Sequence, residues 1–124
     1  MTRLAPLLAA ALLGCVKAPI ESGEASWYGK AFRGRPTASG VVFRPSKRTA
    51  AHPSLPFGTV LKVTRVDTGE SVRVVVNDRG PYAKGRILDL SRRAARHLDL
   101  LDTGHAPVEL RVVGCRQRYG SCDR

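Results

Sequence analysis

Apolar and polar residues alternate with a period of two in several stretches of this chain, the signature of half-buried strands. TVLKVTRV (59–66) and SVRVVVN (71–77) do so most clearly, with Leu61, Val63, Val74 and Val76 on the inward side. Between them lies Asp67-Thr68-Gly69-Glu70, a hairpin signature in which Gly69 takes a positive φ at little steric cost. APVELRVVG (106–114) repeats the alternation, RILDL (86–90) reads as a short strand, and GEASWYGK (23–30) as one with Trp27 and Tyr28 on opposite faces. One stretch follows a helical period: SRRAARHLDLL (91–101), with Ser91 as N-cap and Ala94, Ala95, Leu98 and Leu101 as its apolar face. Residues 31–56 carry neither period. They hold four prolines among hydroxyl and basic side chains and read as a long loop, the kind of segment that tends to carry function in a compact domain.

The N-terminus changes the picture. Arg3 precedes an apolar run over residues 4–13, about half of the ~20 residues needed to span a bilayer, so the run predicts a signal-peptide core and export. Leu12-Leu13-Gly14-Cys15 resembles a bacterial lipobox, with Cys15 as the site of lipidation; the alternative is an ordinary secretory peptide with an incidental cysteine. Three cysteines leave an odd thiol, and lipidating Cys15 leaves Cys115 and Cys122 as a disulfide across a short loop, against the alternative of two free thiols. Val16 lacks the aspartate that retains lipoproteins in the inner membrane, which favours the outer membrane, with the protein facing the periplasm.

A length of 124 residues predicts one domain, and a formal charge of +11 predicts attraction to polyanions. Export excludes nucleic acid, which leaves anionic lipid headgroups and acidic wall polymers. Three histidines and two distant tail cysteines offer no metal-ligand spacing, so neither a metal nor another cofactor is expected. A monomer is expected.

The densest chemistry lies in NDRGPYAKGRILDLS (77–91), where Asp78 and Asp89 stand eleven positions apart around a glycine-rich basic loop. Either is a candidate acid. The plainer alternatives are that Asp78 caps its loop by accepting N–H bonds near Arg79 and Gly80, and that Asp89 pairs with Arg86 or caps the helix.

ASWYGKAFRGRPTASG, RTAAHPSLPFGTVLKVTRVDTG and VRVVVNDRGPYAKGRILDLSRRAARHL together resemble the core of the rare lipoprotein A family, in order and spacing, from about residue 23 to 114. The resemblance implies a mainly β fold, a six-stranded double-psi β-barrel with one or two short helices, shared with expansins and one group of endoglucanases. It divides the chain into a lipoprotein signal peptide (1–14), lipidated cysteine and tether (15–22), barrel (23–114) and tail (115–124). It implies an endolytic lytic transglycosylase acting on peptidoglycan glycan strands poor in stem peptides, in lipid-anchored proteins of the cell envelope. Many relatives carry a C-terminal sporulation-related repeat that directs them to the septum. These 124 residues include no such repeat, and septal targeting is left open.

A lytic transglycosylase cleaves between N-acetylmuramic acid and N-acetylglucosamine without adding water. One group protonates the leaving oxygen, and the same group or another takes the 6-hydroxyl proton as a 1,6-anhydro ring closes. One carboxyl suffices, whereas inverting hydrolysis needs two, roughly 6.5 to 9.5 Å apart. The resemblance places Asp78 as the acid, matches Asp89 to the aspartate of the HFD-type motif of expansins and endoglucanases, and puts His52 in the groove, able to orient an aspartate or share its proton. Trp27 and Tyr28 are platforms for sugar stacking, one of them packing into the core, and Arg79 is a substrate contact. One departure stands out. Relatives read GExYDM after the motif glycine, whereas here Val41 stands for the glutamate and Arg44 for the aspartate. Three readings follow: a transglycosylase resting on Asp78, a non-catalytic expansin-like wall binder, and a cellulase-like hydrolase.

Overall fold

The structure, a computed structural model, describes residues 20–28 and 34–116. The leader, Cys15, the tether through residue 19, and Cys122 lie outside the described residues. Six strands, β1 (Glu21–Trp27), β2 (Thr49–Ala51), β3 (Thr59–Arg65), β4 (Ser71–Asp78), β5 (Arg86–Leu90) and β6 (His105–Cys115), and one helix, α1 (Arg92–His97), form the described domain. The strands close into a barrel in the order β1-β5-β2-β4-β3-β6, with β6 returning to β1. β1 and β5 run parallel, as do β2 and β4, and the other pairs are antiparallel. This is the mainly β, six-stranded architecture expected, with one short helix.

Period-two alternation builds the core. Leu61, Val63, Val72, Val74, Val76, Leu88, Leu90, Val108 and Leu110 fill the barrel, with Leu98 and Leu100 from the α1 end. Among the described residues, closing the barrel gives each of the six strands a neighbour on both sides. The hairpin between β3 and β4 turns at Gly69, whose φ is 81°. Ser91 caps α1 as expected: its Oγ accepts from the Ala94 N–H at 3.3 Å and also from the Thr49 N–H at 3.3 Å, joining the helix start to β2.

Four boundaries differ from the expectation. β1 begins at Glu21, inside the expected tether, because Glu21 and Ser22 pair with Leu110 and Glu109 of the long β6. Thr49–Ala51 is a strand within the expected loop; it is only three residues long and buried throughout, so no alternation marks it. α1 ends at His97, well short of the expected 101: Asp99 takes a left-handed φ of 55°, and the Arg65 guanidinium donates to the Leu98 and Asp99 carbonyls, satisfying the helix end. Cys115 belongs to β6 and not to the tail; it is disulfide-bonded.

Candidate active site

Asp78 ends β4, where the strand gives way to the 79–85 loop. Three donors hold its carboxylate. The Tyr28 hydroxyl donates to Oδ2 at 2.6 Å, the Ala38 N–H to Oδ1 at 2.8 Å and its neighbour Arg79's N–H to Oδ1 at 2.9 Å. Tyr28 is brought there by β1, which lies beside β5 and puts Ser26 and Tyr28 on one side of the strand. Ser26 donates from its hydroxyl to Oδ1 of Asp89 on β5. Burial, first, and then the hydrogen bond and negative charge of Asp78 with the charge of Asp89, push the Tyr28 phenol far above its ordinary pKa. It is therefore a fixed hydrogen-bond donor at every physiological pH.

Ala38 comes from residues 34–44, a small hairpin held by a bridge between Pro36 and Val42 and by the Thr37 N–H donating to the Val41 carbonyl at 2.9 Å. The hairpin is tied to β4 by the Ser39 N–H, which donates to the Asn77 carbonyl at 3.2 Å. Its Phe43 packs on Tyr28, ring centroids 4.5 Å apart, and with Ala51 the two form a small second core under the site. The hairpin is thus a wall of the site. Val41 and Arg44, the two positions at which the resemblance implied acids, are both exposed on it.

The expected site residues separate into groups. Asp78 and Asp89 flank one phenol and belong together. Of the plainer alternatives, Asp78 does accept its own loop's N–H at Arg79, but Asp89 takes Ser26 as its partner and leaves the helix cap to Ser91. Tyr28 is 8% exposed, so it offers no open ring for a sugar and acts through its hydroxyl. Trp27 points to the other side and packs half-buried against the main core.

His52 is 4% exposed and both its ring nitrogens are engaged. Nδ1 accepts from the Ser54 and Leu55 N–H groups, both at 3.1 Å, and Nε2 lies 2.7 Å from Glu21 Oε1. An Nδ1 that accepts carries no proton, so Nε2 is the protonated nitrogen and donates to Glu21. His52 meets Asp78 through the backbone, its N–H donating to the Asp78 carbonyl at 3.1 Å. Arg79 completes the brace: its guanidinium donates to the Leu55 carbonyl at 2.8 Å and the His52 carbonyl at 3.3 Å, and lies 4.1 Å over the Phe57 ring. His52 and Arg79 thus hold the 52–57 loop against the strand end that presents Asp78.

Sequence reasoning missed Ser26, Ala38 and Glu21 as partners, and Tyr82. Tyr82, in the loop that follows Asp78, is 78% exposed and offers the open aromatic ring that Tyr28 does not. No group of three or more His, Cys, Asp or Glu side chains suited to a metal occurs among the described residues.

A family model described as lytic transglycolase matches residues 20–110, nearly the whole barrel. The chain belongs to the lytic transglycolase family. Among lytic transglycolase relatives, the probable endolytic peptidoglycan transglycosylase RlpA of Nostoc sp. is 53% identical over 94 residues, 74% of this chain and 25% of that one. The endolytic peptidoglycan transglycosylase RlpA of Campylobacter jejuni is 48% identical over 92 residues, 74% of this chain and 34% of that one. The chain therefore spans a quarter to about a third of the length of these relatives. Among solved structures, a Clavibacter michiganensis expansin, in an aspartate-to-asparagine variant complexed with cellohexaose, aligns with a TM-score of 0.59 at 25% identity, covering 75% of this chain and 50% of that one. The lytic transglycolase barrel is thus one fold with that expansin domain.

Proposed function

We propose that the chain is an endolytic peptidoglycan transglycosylase that cleaves the bond between N-acetylmuramic acid and N-acetylglucosamine in stem-peptide-poor strands and leaves 1,6-anhydro ends. The observation that carries this reading is the three-donor setting of Asp78 at the mouth of a loop. A carboxylate offers about four lone-pair positions, two on each oxygen. On Asp78 both positions of Oδ1 are taken by backbone N–H groups and one of Oδ2 by the Tyr28 hydroxyl. One position on Oδ2 is left, and it is through that position that a proton can pass to the glycosidic oxygen. The same position then accepts the proton of the muramoyl 6-hydroxyl as the anhydro ring closes, and Asp78 is returned to its starting state. Asp89 adds negative charge near the developing oxocarbenium ion, and Tyr82 supplies a stacking face. The names of the relatives support the substrate class.

The exposed Val41 and Arg44 favour a second reading, a barrel that grips glycan without cutting it, since an arginine there repels a cationic transition state. Incubating the protein with stem-free glycan strands and identifying the ends by mass spectrometry separates the readings. Anhydromuramoyl ends, lost in Asp78→Asn, support transglycosylation. Intact strands support the binder, and hydrated reducing ends point to a hydrolase.

We further propose that the protein is anchored through a lipid on Cys15 in the cell envelope, facing the periplasm as a monomer, with the outer membrane favoured by Val16 and with a disulfide joining Cys115 at the end of β6 to Cys122. Metabolic labelling with palmitate checks the anchor: Cys15→Ser loses the label and moves the protein to the soluble fraction.

A further inference from the structure

Away from Asp78 the barrel carries a concavity, a groove of about 730 Å³ on the outside of the β3–β4 hairpin, walled by α1 and the end of β6. Six cations line it: Lys47, Arg48, Lys62, Arg73, Arg93 and Arg116. His97 lines it too, and no aspartate or glutamate does. None of Ser26, Tyr28, Ala38, Asp78 and Asp89 reaches this groove. The cations come from five separate segments and are, among the described residues, in no ion pair. One is held by the fold, Arg93, whose guanidinium donates to the Ser46 carbonyl at 3.2 Å. His97 stands in the last turn of α1, where a helix end favours a cation. Nothing comparable accounts for the rest.

A second observation comes from Thr49, which lines the same groove. It is 5% exposed, and its Oγ1 is buried with no hydrogen-bond partner. A buried hydroxyl without a partner is costly, and this one belongs to a residue of the same cation-lined groove.

We propose that this groove is a second binding site, for phosphate groups, separate from the Asp78 site. Cations converging from several directions match a tetrahedral anion with acceptor oxygens on all sides better than a planar carboxylate, and guanidinium forks pair with phosphate oxygens two at a time. The phosphate belongs either to a lipid headgroup or to a free phosphate compound, and the site's chemistry is the same for both.

The test uses the full chain carrying Cys15→Ser, so that acylation contributes nothing. Pyrophosphate is titrated by calorimetry, and in parallel the protein is sedimented with phosphatidylcholine vesicles with and without phosphatidylglycerol. Saturable binding of pyrophosphate identifies free phosphate as the source; binding confined to phosphatidylglycerol vesicles identifies the headgroup. In either arm Arg48→Ser with Arg73→Ser, both on exposed side chains, weakens binding at least roughly tenfold, the worth of about 1.4 kcal/mol, without changing the melting temperature. Asp78→Asn leaves binding intact, which separates this site from the glycan site. The proposal is overturned if neither probe binds, or if Lys84→Ser with Arg35→Ser, which removes the same charge outside the groove, weakens binding as much.

Discussion

Tyr28 decides how Asp78 behaves, because its phenol occupies one carboxylate oxygen and is kept protonated by burial first and then by the two aspartates around it. The sign of the linkage is definite. A phenol whose pKa is raised on folding stabilises the fold fully below its unfolded value of about 10, and that contribution is lost as pH rises above it, since the unfolded chain releases the proton first. Denaturation followed through the alkaline range should therefore show stability falling above pH ~10, with a shallower fall in Tyr28→Phe. In the ultraviolet, Tyr28→Phe should leave the ordinary tyrosine titration step unchanged, because Tyr28 does not titrate there. On glycan strands the same variant should lower kcat at least about tenfold with little change in KM, since one hydrogen bond to a charged group is worth roughly 1.5 to 3 kcal/mol. Asp78 and Asp89 were legible in the sequence as scarce acids around a glycine loop. Their partners were not: Ser26 is 63 positions from Asp89 and Ala38 is 40 from Asp78, and only the closing of the barrel joins them. The one available signal was the spacing of Ser26 and Tyr28, two apart on a strand and therefore on one side.

Elements meet at Ser91, whose single hydroxyl oxygen serves both the first turn of α1 and the N–H of Thr49 on β2. Ser91→Ala takes the capping acceptor from the Ala94 N–H and leaves the Thr49 N–H with the Lys47 carbonyl at 3.2 Å, so it should cost about 1 kcal/mol in chemical denaturation, the usual worth of a lost N-cap. Gly23 tests a different contact, β1 against β5. A Cβ there would stand 2.7 Å from Ile87 Cγ2, so Gly23→Ala should cost about 1 to 3 kcal/mol through overpacking. The long strands and their hairpin were readable because each has one face in the core and one in water, which writes a period of two into the sequence. β2 was not, being short and covered on both faces, and the length of α1 was not, because Arg65 and the left-handed Asp99 stop it while the apolar pattern continues through Leu98 and Leu101.

At the scale of the whole molecule, a charge of +11 on so small a chain sets a field that draws in anionic polymer from a distance. Association with anionic glycan strands should accordingly slow as ionic strength rises from about 0.01 M to 0.15 M, where the screening length falls from about 30 Å to about 8 Å, while the chemical step at saturating substrate changes little. The barrel's seam carries a further consequence. β1 and β6 are antiparallel neighbours, Glu21 lying opposite Leu110, and β6 runs on only five residues to Cys115, about 17 Å of strand. The polypeptide therefore enters and leaves through one doorway, and a longer chain can take up the barrel as a cassette without rerouting what lies on either side. Relatives in which the matched portion is a quarter or a third of the length have the proportions such a cassette allows.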